Sequence, residues 1–207
     1  MERHQIYDVE RDHLKQKHLL VKLLELFLPD NYVGAEIGID FADTTGCLLN
    51  HCSRMSLLYA IDPYEGRDDR ANRTKLLLTQ KGRCCFYRDK SENVVNLLPQ
   101  LDFVFIDGDH SYEGVKIDLE KYVPKLKLGG LLIGHDWMTS SSIKVAHAAG
   151  EYLENNQHLF KPLMTNKQLI EIGLEKFCQG GYSDNLERFM IHKKVPSKNP
   201  LWWVQIK

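Results

Sequence analysis

The stretch FVFIDGDHSY, residues 103–112, decides the fold. Four apolar residues are followed at once by the polar turn Asp107-Gly108-Asp109-His110, and a helical pattern begins at Tyr112. A short apolar run bounded by a polar turn is typical of a strand buried on both faces. A similar run, LLIGHDW at residues 131–137, follows after that helical pattern. Two buried strands linked through a helix predict neighbouring parallel strands of an α/β sheet.

The same alternation of apolar runs and polar turns occurs upstream of this stretch. Apolar runs at 32–39, 57–61 and 83–87 each precede a polar turn, and an amphipathic helix precedes the first of them. Two further strand-like runs, 188–192 and 201–206, are joined by a short segment with two prolines. We therefore expect an α/β fold of Rossmann-like, doubly wound type. Its sheet would have seven strands, mostly parallel, and would end in a C-terminal antiparallel hairpin.

The 207 residues fit a single domain. Its predicted parts are an N-terminal helix within 1–30, an α/β core at 31–150, a poorly patterned segment at 151–187 and the hairpin at 188–207. Tryptophans at 202 and 203, in a hairpin expected at the edge of the sheet, leave room for a homodimer contact.

Composition narrows the class of partner. The formal net charge of −1 argues against nucleic acid and anionic lipid, which attract strongly basic proteins. The longest apolar stretch near the amino terminus is interrupted by Lys22 and Glu25, so no membrane association is expected. Five cysteines without a C-x-x-C pair are typical of a reducing compartment, and a cytoplasmic location is expected.

Ligands of open α/β sheets bind outside the carboxyl ends of the strands. The first predicted strand is followed by Gly38 and Thr44, where a glycine would allow close backbone approach. The second strand ends in Asp62, and an acidic side chain at that point can accept hydrogen bonds from both ribose hydroxyls. The competing interpretation of Asp62 is an aspartate that starts a turn before Pro63.

Two aspartates and two histidines follow the fourth and fifth predicted strands. Asp107 and His110 end one strand, and His135 and Asp136 end the next. Because carboxylates and imidazoles suit divalent ions, convergence of these groups predicts a candidate metal or acid–base site. The competing interpretation is local, with Asp109 and Ser111 only capping the helix that follows and the histidines bonded nearby.

These motifs resemble class I S-adenosylmethionine-dependent methyltransferases. The nearest group resembles the macrocin-type O-methyltransferases and cephalosporin-hydroxylase-like proteins, a methyltransferase family 24 type. The resemblance covers roughly residues 33–149 and is carried by these segments: Glu36-x-Gly38, Ile61-Asp62-Pro63, residues 105–115 and residues 127–137. It implies that the core at 31–150 binds S-adenosylmethionine and that 151–187 lies on the acceptor side.

The resemblance also implies roles for single residues. Glu36 and Gly38 would flank the methionine part of the cofactor and Asp62 would bind its ribose, while Lys90 and Ser91 would lie beside the adenine. Thr44 and Asp107 complete the predicted cofactor contacts. The metal position of metal-dependent relatives maps to Asp107, His135 and Asp136. His135 departs from the acidic pair of those relatives, so the ion, if bound, is magnesium or a transition ion.

Methyl transfer needs an acceptor whose proton is removed or shared. The candidate groups are a metal at Asp107 and Asp136, or a general base among Asp109, His110 and His135. The expected reaction is O-methylation of a small-molecule hydroxyl of sugar or natural-product type.

Two alternatives remain open at this point. The first is a divalent-metal hydrolase whose ligands would be Asp107, Asp109, His110, His135 and Asp136. That interpretation leaves Glu36, Gly38 and Asp62 without a role. The second is a nucleoside-binding protein that keeps the fold without turnover.

Overall fold

Strands and helices alternate along the chain as the apolar runs predict. The computed structural model describes residues 16–79, 82–137, 143–162, 164, 166–174, 178–180, 190–192 and 201–207. The strands are β1 Tyr32–Ile37, β2 Met55–Ile61, β3 Cys84–Tyr87, β4 Leu101–Ile106, β5 Leu126–Gly134, β6 Cys178–Gly180, β7 Met190–His192 and β8 Trp202–Gln205. Predictions for residues 1–15, for most of 175–189 and for the hairpin connection at 193–200 lie outside the described residues.

The strands form one sheet in the order β3-β2-β1-β4-β5-β8-β7-β6. β1 to β5 pair in parallel, and β8, β7 and β6 pair antiparallel at the other side of β5. The α/β class and the C-terminal antiparallel pair are confirmed. The predicted strand number of seven is wrong, because β6 pairs with β7 and the described residues form eight strands. Strand order reverses between β1 and β4, which places the ligand-binding crevice there.

Helices cover both faces of the sheet. They are α1 at 16–27, α2 Asp43–His51, α3 Asp68–Thr79, α4 Ser91–Val94, α5 Tyr112–Tyr122, α6 Ile143–Asn155 and α7 Asn166–Glu171. Side-chain alternation on β4 sends Phe103 and Phe105 into the layer shared with α1 and α2, and Val104 and Ile106 into the layer shared with α5 and α6. No helix within the described residues is both long enough and apolar enough to cross a bilayer.

The glycine pair at 129 and 130 lies inside a strand. A glycine pair at this place in the chain could end the preceding helix, but α5 ends at Tyr122 and β5 already begins at Leu126. Leu101 pairs with Leu126 and Phe103 pairs with Leu131, so the intervening residues of β5 bulge out of register. Gly129, at φ 79°, adopts the left-handed conformation that such an irregularity requires.

The two C-terminal tryptophans do not lie at the sheet edge. β8 lies between β5 and β7, and Trp202 and Trp203 are 0% and 2% exposed on opposite faces. Trp202 packs directly over Gly134, where an added Cβ would lie 2.2 Å from the indole ring. The expected edge position was wrong, because the pattern of a hairpin does not say which of its strands joins the sheet. Neither tryptophan therefore supports a dimer contact.

Candidate cofactor cleft and active site

A cleft of about 860 Å³ opens at the carboxyl ends of β1, β2, β4 and β5. Clefts of this size are typical of sites for small molecules and cofactors. Its walls include Gly38, Asp62, Ser91, Asp107 and His110. The polar residues that follow the predicted strands therefore converge on one edge of the sheet.

Gly38 brings the loop after β1 against the loop after β4. It has φ 84°, and a Cβ built on it would lie 2.1 Å from the carbonyl oxygen of Asp107 and 2.7 Å from Cα of Gly108. A side chain at position 38 would therefore collide with backbone atoms that cannot rotate away. The glycine permits contact between the two loops as well as access to the cleft.

Asp62 lines the cleft and also holds the loop after β1. Its Oδ2 accepts hydrogen bonds from the backbone N–H groups of Ile39 (2.9 Å) and Asp40 (3.1 Å), and its Oδ1 accepts from the N–H of Tyr64 (2.8 Å). Each carboxylate oxygen can accept more than one hydrogen bond, so capacity remains for a ligand. The turn interpretation and the ligand interpretation of Asp62 are thus compatible.

Two predicted cofactor residues lie outside this cleft. Glu36 is 1% exposed and is buried beside Thr45 of α2. Thr44 lines a smaller pocket of about 160 Å³ between α1 and the loop after β1. That pocket also contains Lys17 and shares Asp107 with the cleft. Thr44 therefore lines the smaller pocket, whereas Glu36 lines neither of these two cavities, and their predicted contacts with the methionine part of the cofactor stay predictions.

Burial of Glu36 predicts a measurable dependence of stability on pH. Burial raises its pKa to about 8; Thr45 and Lys17 oppose the shift, and Asp107 and Asp62 add to it. Between its unfolded and folded pKa values the folded state holds one more proton. Stability should therefore fall by about 1.4 kcal/mol per pH unit as pH rises through that window. We expect Glu36→Gln to reduce the wild-type slope by this amount in urea unfolding between pH 6 and pH 8, since the raised pKa values of His110 and His135 contribute a slope of the same sign.

The matched control for this slope is Glu120→Gln, which changes an exposed glutamate of α5 in the same way. It should keep the wild-type slope. Parallel pH profiles for wild type and Glu36→Gln would contradict the expected protonation of Glu36.

Four titratable side chains meet where β4 and β5 end. Nε2 of His110 lies 2.9 Å from Oδ2 of Asp136 and 3.6 Å from Oδ1 of Asp107. Nδ1 of His135 lies 3.2 Å from Oδ1 of Asp107 and 3.5 Å from Oδ1 of Asp136. The carboxylates alternate with the imidazoles, so each negative charge has a cationic or hydrogen-bonding neighbour.

This arrangement shifts the proton equilibria of all four groups. Hydrogen bonds to Asp107 and Asp136 raise the pKa of His110 to about 10. Burial lowers the pKa of His135, but the charges and hydrogen bonds of Asp107 and Asp136 outweigh burial and raise it to about 9. Although burial alone would raise them, the pKa values of Asp107 and Asp136 are lowered by the two histidines. The cluster therefore favours two protonated histidines beside two ionised aspartates, so that the charges of the four side chains cancel.

His110 and His135 occupy different positions in this cluster. His135 is nearly buried, and its Nε2 donates to the side-chain oxygen of Gln16 on α1 (3.0 Å). His110 is 46% exposed at its side chain and faces the cleft. Among the described residues, the group able to converge on one ion consists of Asp107, His110 and Asp136, whose ligand atoms lie within 4.8 Å of one another. The geometry favours His110 over the predicted His135 as third ligand.

Asp109 points into the start of α5. Its Oδ1 accepts from the N–H of Ser111 and its Oδ2 from the Ser111 hydroxyl, both at 2.9 Å. Ser111 in turn caps α5 by accepting from the N–H of Gly114 (3.0 Å). The capping interpretation of Asp109 and Ser111 therefore describes these contacts. Asp109 still lines the cleft, and its predicted role as base stays a prediction.

Asp118 is a cleft residue that sequence reasoning missed. This aspartate of α5 is 3% exposed, lines the cleft and accepts a hydrogen bond from the Ser91 hydroxyl. A signal was available, because Asp118 has the helical spacing of the buried residues Val115, Leu119 and Tyr122. An acidic residue on the apolar face of a helix indicates either a buried partner or a ligand.

Comparison with known proteins identifies the type of domain. A family model described as "Methyltransferase domain" matches residues 35–137. A search of curated proteins found no match.

Solved structures share the fold. A Streptococcus mutans protein solved in complex with S-adenosylhomocysteine has a TM-score of 0.64 at 12% identity, covering 93% of this chain and 98% of that chain. CalS11, a TDP-rhamnose 3'-O-methyltransferase of calicheamicin biosynthesis, has a TM-score of 0.61 at 14% identity. The match covers 99% of this chain and 81% of that chain. An rRNA methylase from Streptococcus thermophilus has a TM-score of 0.60 at 13% identity, covering 92% and 96%. At these identities the likeness shows the fold alone.

The fold and the cleft together define a class I methyltransferase that uses S-adenosylmethionine. The matched family model spans just under half of the chain, residues 35–137, and so supports the class without showing a particular family. The hydrolase alternative has no support from these comparisons.

Proposed function

We propose that this enzyme transfers the methyl group of S-adenosylmethionine to a hydroxyl oxygen of a small molecule, of sugar or natural-product type. The proposal rests on the position of His110. Its imidazole faces the cleft and is held 2.9 Å from the buried carboxylate of Asp136. A half-exposed imidazole fixed by a buried carboxylate is the arrangement expected of a general base that meets an acceptor.

In the proposed reaction the acceptor oxygen attacks the methyl carbon in line with the carbon–sulfur bond. The oxygen–carbon bond forms, the carbon–sulfur bond breaks and S-adenosylhomocysteine leaves. The hydroxyl proton passes to Nδ1 of the neutral form of His110, while Nε2–H keeps its hydrogen bond to Asp136, which stabilises the resulting imidazolium. Because the pKa of His110 is raised to about 10, this neutral form becomes populated at alkaline pH. Asp62 holds the ribose and Asp107 lies beside the methionine end, while Gly38 keeps the two loops together.

The charge of the cleft supports a small acceptor over RNA. Its walls carry eight acidic side chains against two lysine or arginine side chains, Arg67 and Lys90. The acidic residues are Asp40, Asp62, Glu65, Glu92, Asp107, Asp109, Asp118 and Asp136. Because RNA phosphates require cationic contacts, this lining favours a neutral acceptor. The solved structures named above include both sugar and rRNA methyltransferases, so the charge is the discriminating observation.

The same cluster can hold a divalent ion. Asp107, His110 and Asp136 offer two oxygens and one nitrogen within reach of a single cation, a donor set that suits magnesium or a transition ion. An ion bound there would lower the pKa of a coordinated acceptor hydroxyl. Since His110 would then be a ligand, we propose the ion and the His110 base as alternative means of activation.

Calorimetric titration of the metal-stripped protein with S-adenosylmethionine tests the proposal. We expect micromolar affinity, which corresponds to about −8 kcal/mol, and at least about a tenfold loss in Asp62→Ala. Asp69→Ala, in an exposed aspartate of α3, is the control and should bind as wild type does. The rate of methyl transfer to hydroxyl acceptors, measured without metal and then with magnesium, manganese or zinc, decides the role of the ion. Absence of binding by the wild type under every metal condition would overturn the proposal.

A further inference from the structure

Gln16 is a buried amide that reaches the active-site cluster from α1. It is 5% exposed and lies outside the cofactor cleft, whereas His135 lines the cleft. The amide oxygen of Gln16 lies 3.0 Å from Nε2 of His135. Because an amide oxygen only accepts hydrogen bonds, the imidazole Nε2–H is the donor. The proposed methyl transfer assigns no role to Gln16.

The packing of α1 holds Gln16 in place. Four leucines of this helix are at most 1% exposed and belong to the core between the helix and the sheet: Leu19, Leu20, Leu23 and Leu24. The Lys22 ammonium also donates to the backbone carbonyl of Gly173, which follows α7 (2.5 Å). A helix anchored in this way presents the amide at a fixed place beside His135, as a group that supports an active site must be.

The ring of His135 links Gln16 to the acidic residues of the site. Its second nitrogen, Nδ1, lies 3.2 Å from Oδ1 of Asp107 and 3.5 Å from Oδ1 of Asp136. Oδ2 of Asp136 in turn lies 2.9 Å from Nε2 of His110, whose half-exposed side chain faces the cleft. A continuous chain of contacts therefore runs from α1 through His135 and Asp136 to the proposed base.

The two nitrogens of an imidazole are rigidly linked, so the position of one sets the position of the other. The His135 ring cannot turn about its Cβ–Cγ bond without breaking the contact between Nε2 and Gln16. Partners of this kind, which fix the orientation of a histidine by accepting its outer N–H, recur in catalytic and metal sites.

Resting on the proposed function, we propose that Gln16 is a positioning residue for methyl transfer. Its amide oxygen holds the His135 ring so that Nδ1 reaches Asp107 and Asp136, and Asp136 then holds His110 at the acceptor. Loss of that oxygen lets the ring turn and carry Nδ1 away from both carboxylates. Gln16 thus acts on the rate of transfer and not on the affinity for the cofactor.

Gln16→Leu removes the accepting oxygen and keeps a side chain of similar size. We expect kcat for methyl transfer to fall about 10- to 100-fold, the range seen when the group that orients a metal-ligating histidine is lost. The calorimetric affinity for S-adenosylmethionine should stay within about threefold. Gln16→Glu keeps an accepting oxygen at the same place and should retain kcat within about threefold. The two variants together separate the hydrogen bond from the volume of the side chain.

Gln205→Leu is the matched control. Gln205 of β8 donates from Nε2 to the backbone carbonyl of Gly129 (2.7 Å), at the opposite end of the sheet from the cleft. This variant also loses a side-chain hydrogen bond and should keep the wild-type kcat.

Proton–nitrogen NMR spectra of the histidine rings measure the same contact without methyl transfer. The Nε2–H signal of His135, assigned by its absence in His135→Gln, should be protected from exchange with water in the wild type and in Gln16→Glu, and lost in Gln16→Leu. An unchanged signal or a kcat within threefold of wild type in Gln16→Leu overturns the inference about Gln16, and so do equal losses of kcat in Gln16→Leu and Gln16→Glu. A wild type that binds the cofactor but methylates no hydroxyl acceptor overturns the proposed function instead, and the NMR signal then decides whether Gln16 holds the His135 ring.

Discussion

Replacing His110 with glutamine is expected to lower kcat for methyl transfer about 10²- to 10⁴-fold, the usual contribution of a general base. Glutamine keeps a polar side chain of similar reach but cannot take up a proton. Affinity for S-adenosylmethionine should stay within about threefold. The proposed role predicts a loss in kcat rather than in binding, because the proton moves only as the methyl group is transferred.

His147→Gln is the control for that experiment. His147 lies on α6, is exposed and packs against the ring of Tyr112, with ring centroids 5.5 Å apart. It should retain the wild-type kcat. Steady-state kinetics with calorimetric cofactor binding separates the two effects. If His110→Gln retains kcat within threefold, His110 is not the base.

The other candidate bases are less well placed than His110. Nε2 of His135 is engaged with Gln16 of α1, and only 12% of its side chain is exposed. Both carboxylate oxygens of Asp109 accept from Ser111 at the start of α5. If His110→Gln proves active, the same kinetic comparison applied to His135→Gln and Asp109→Asn identifies the base.

The convergence of the site could be predicted from sequence because it depends on strand direction alone. Parallel strands end at one edge, so Asp107 and Asp136 had to meet once β4 and β5 were neighbours. The choice between His110 and His135 could not be predicted. His135 and Asp136 are adjacent in sequence, but Asp136 has φ 59° and its carboxylate reaches His110, whereas His135 also contacts Gln16 of α1.

Features that depend on contacts between distant segments also could not be predicted from the sequence. Insertion of β8 between β5 and β7 buries Trp202 and Trp203, although their apolar pattern suits an edge strand equally well. The bonds from Ile39 and Asp40 to Asp62 depend on how the loop after β1 folds back onto β2. Turn and ligand interpretations of an aspartate share the same local signal, so only the folded loop shows that both apply.

Replacing Gly38 with alanine is expected to destabilise the protein by about 3 kcal/mol or more and to weaken S-adenosylmethionine binding by more than tenfold. The added methyl group would lie 2.1 Å from the carbonyl oxygen of Asp107. The left-handed backbone at φ 84° adds strain of about 1 kcal/mol for a residue with a Cβ. Relief requires the loops after β1 and β4 to separate, and these loops carry Gly38 and Asp107 of the cleft wall.

Gly46→Ala adds the same methyl group in α2, where, apart from the adjacent residues and the helix's own backbone, no atom lies within 4 Å of the new Cβ. Alanine is the better helix former, so this variant should be more stable than wild type by about 0.5–1 kcal/mol. Urea unfolding should therefore give shifts of opposite sign for the two glycines, and calorimetry should show cofactor binding lost only in Gly38→Ala. Equal shifts would mean that the loops can separate at little cost. Contact between the loops at Gly38 would then not be what shapes the cofactor cleft.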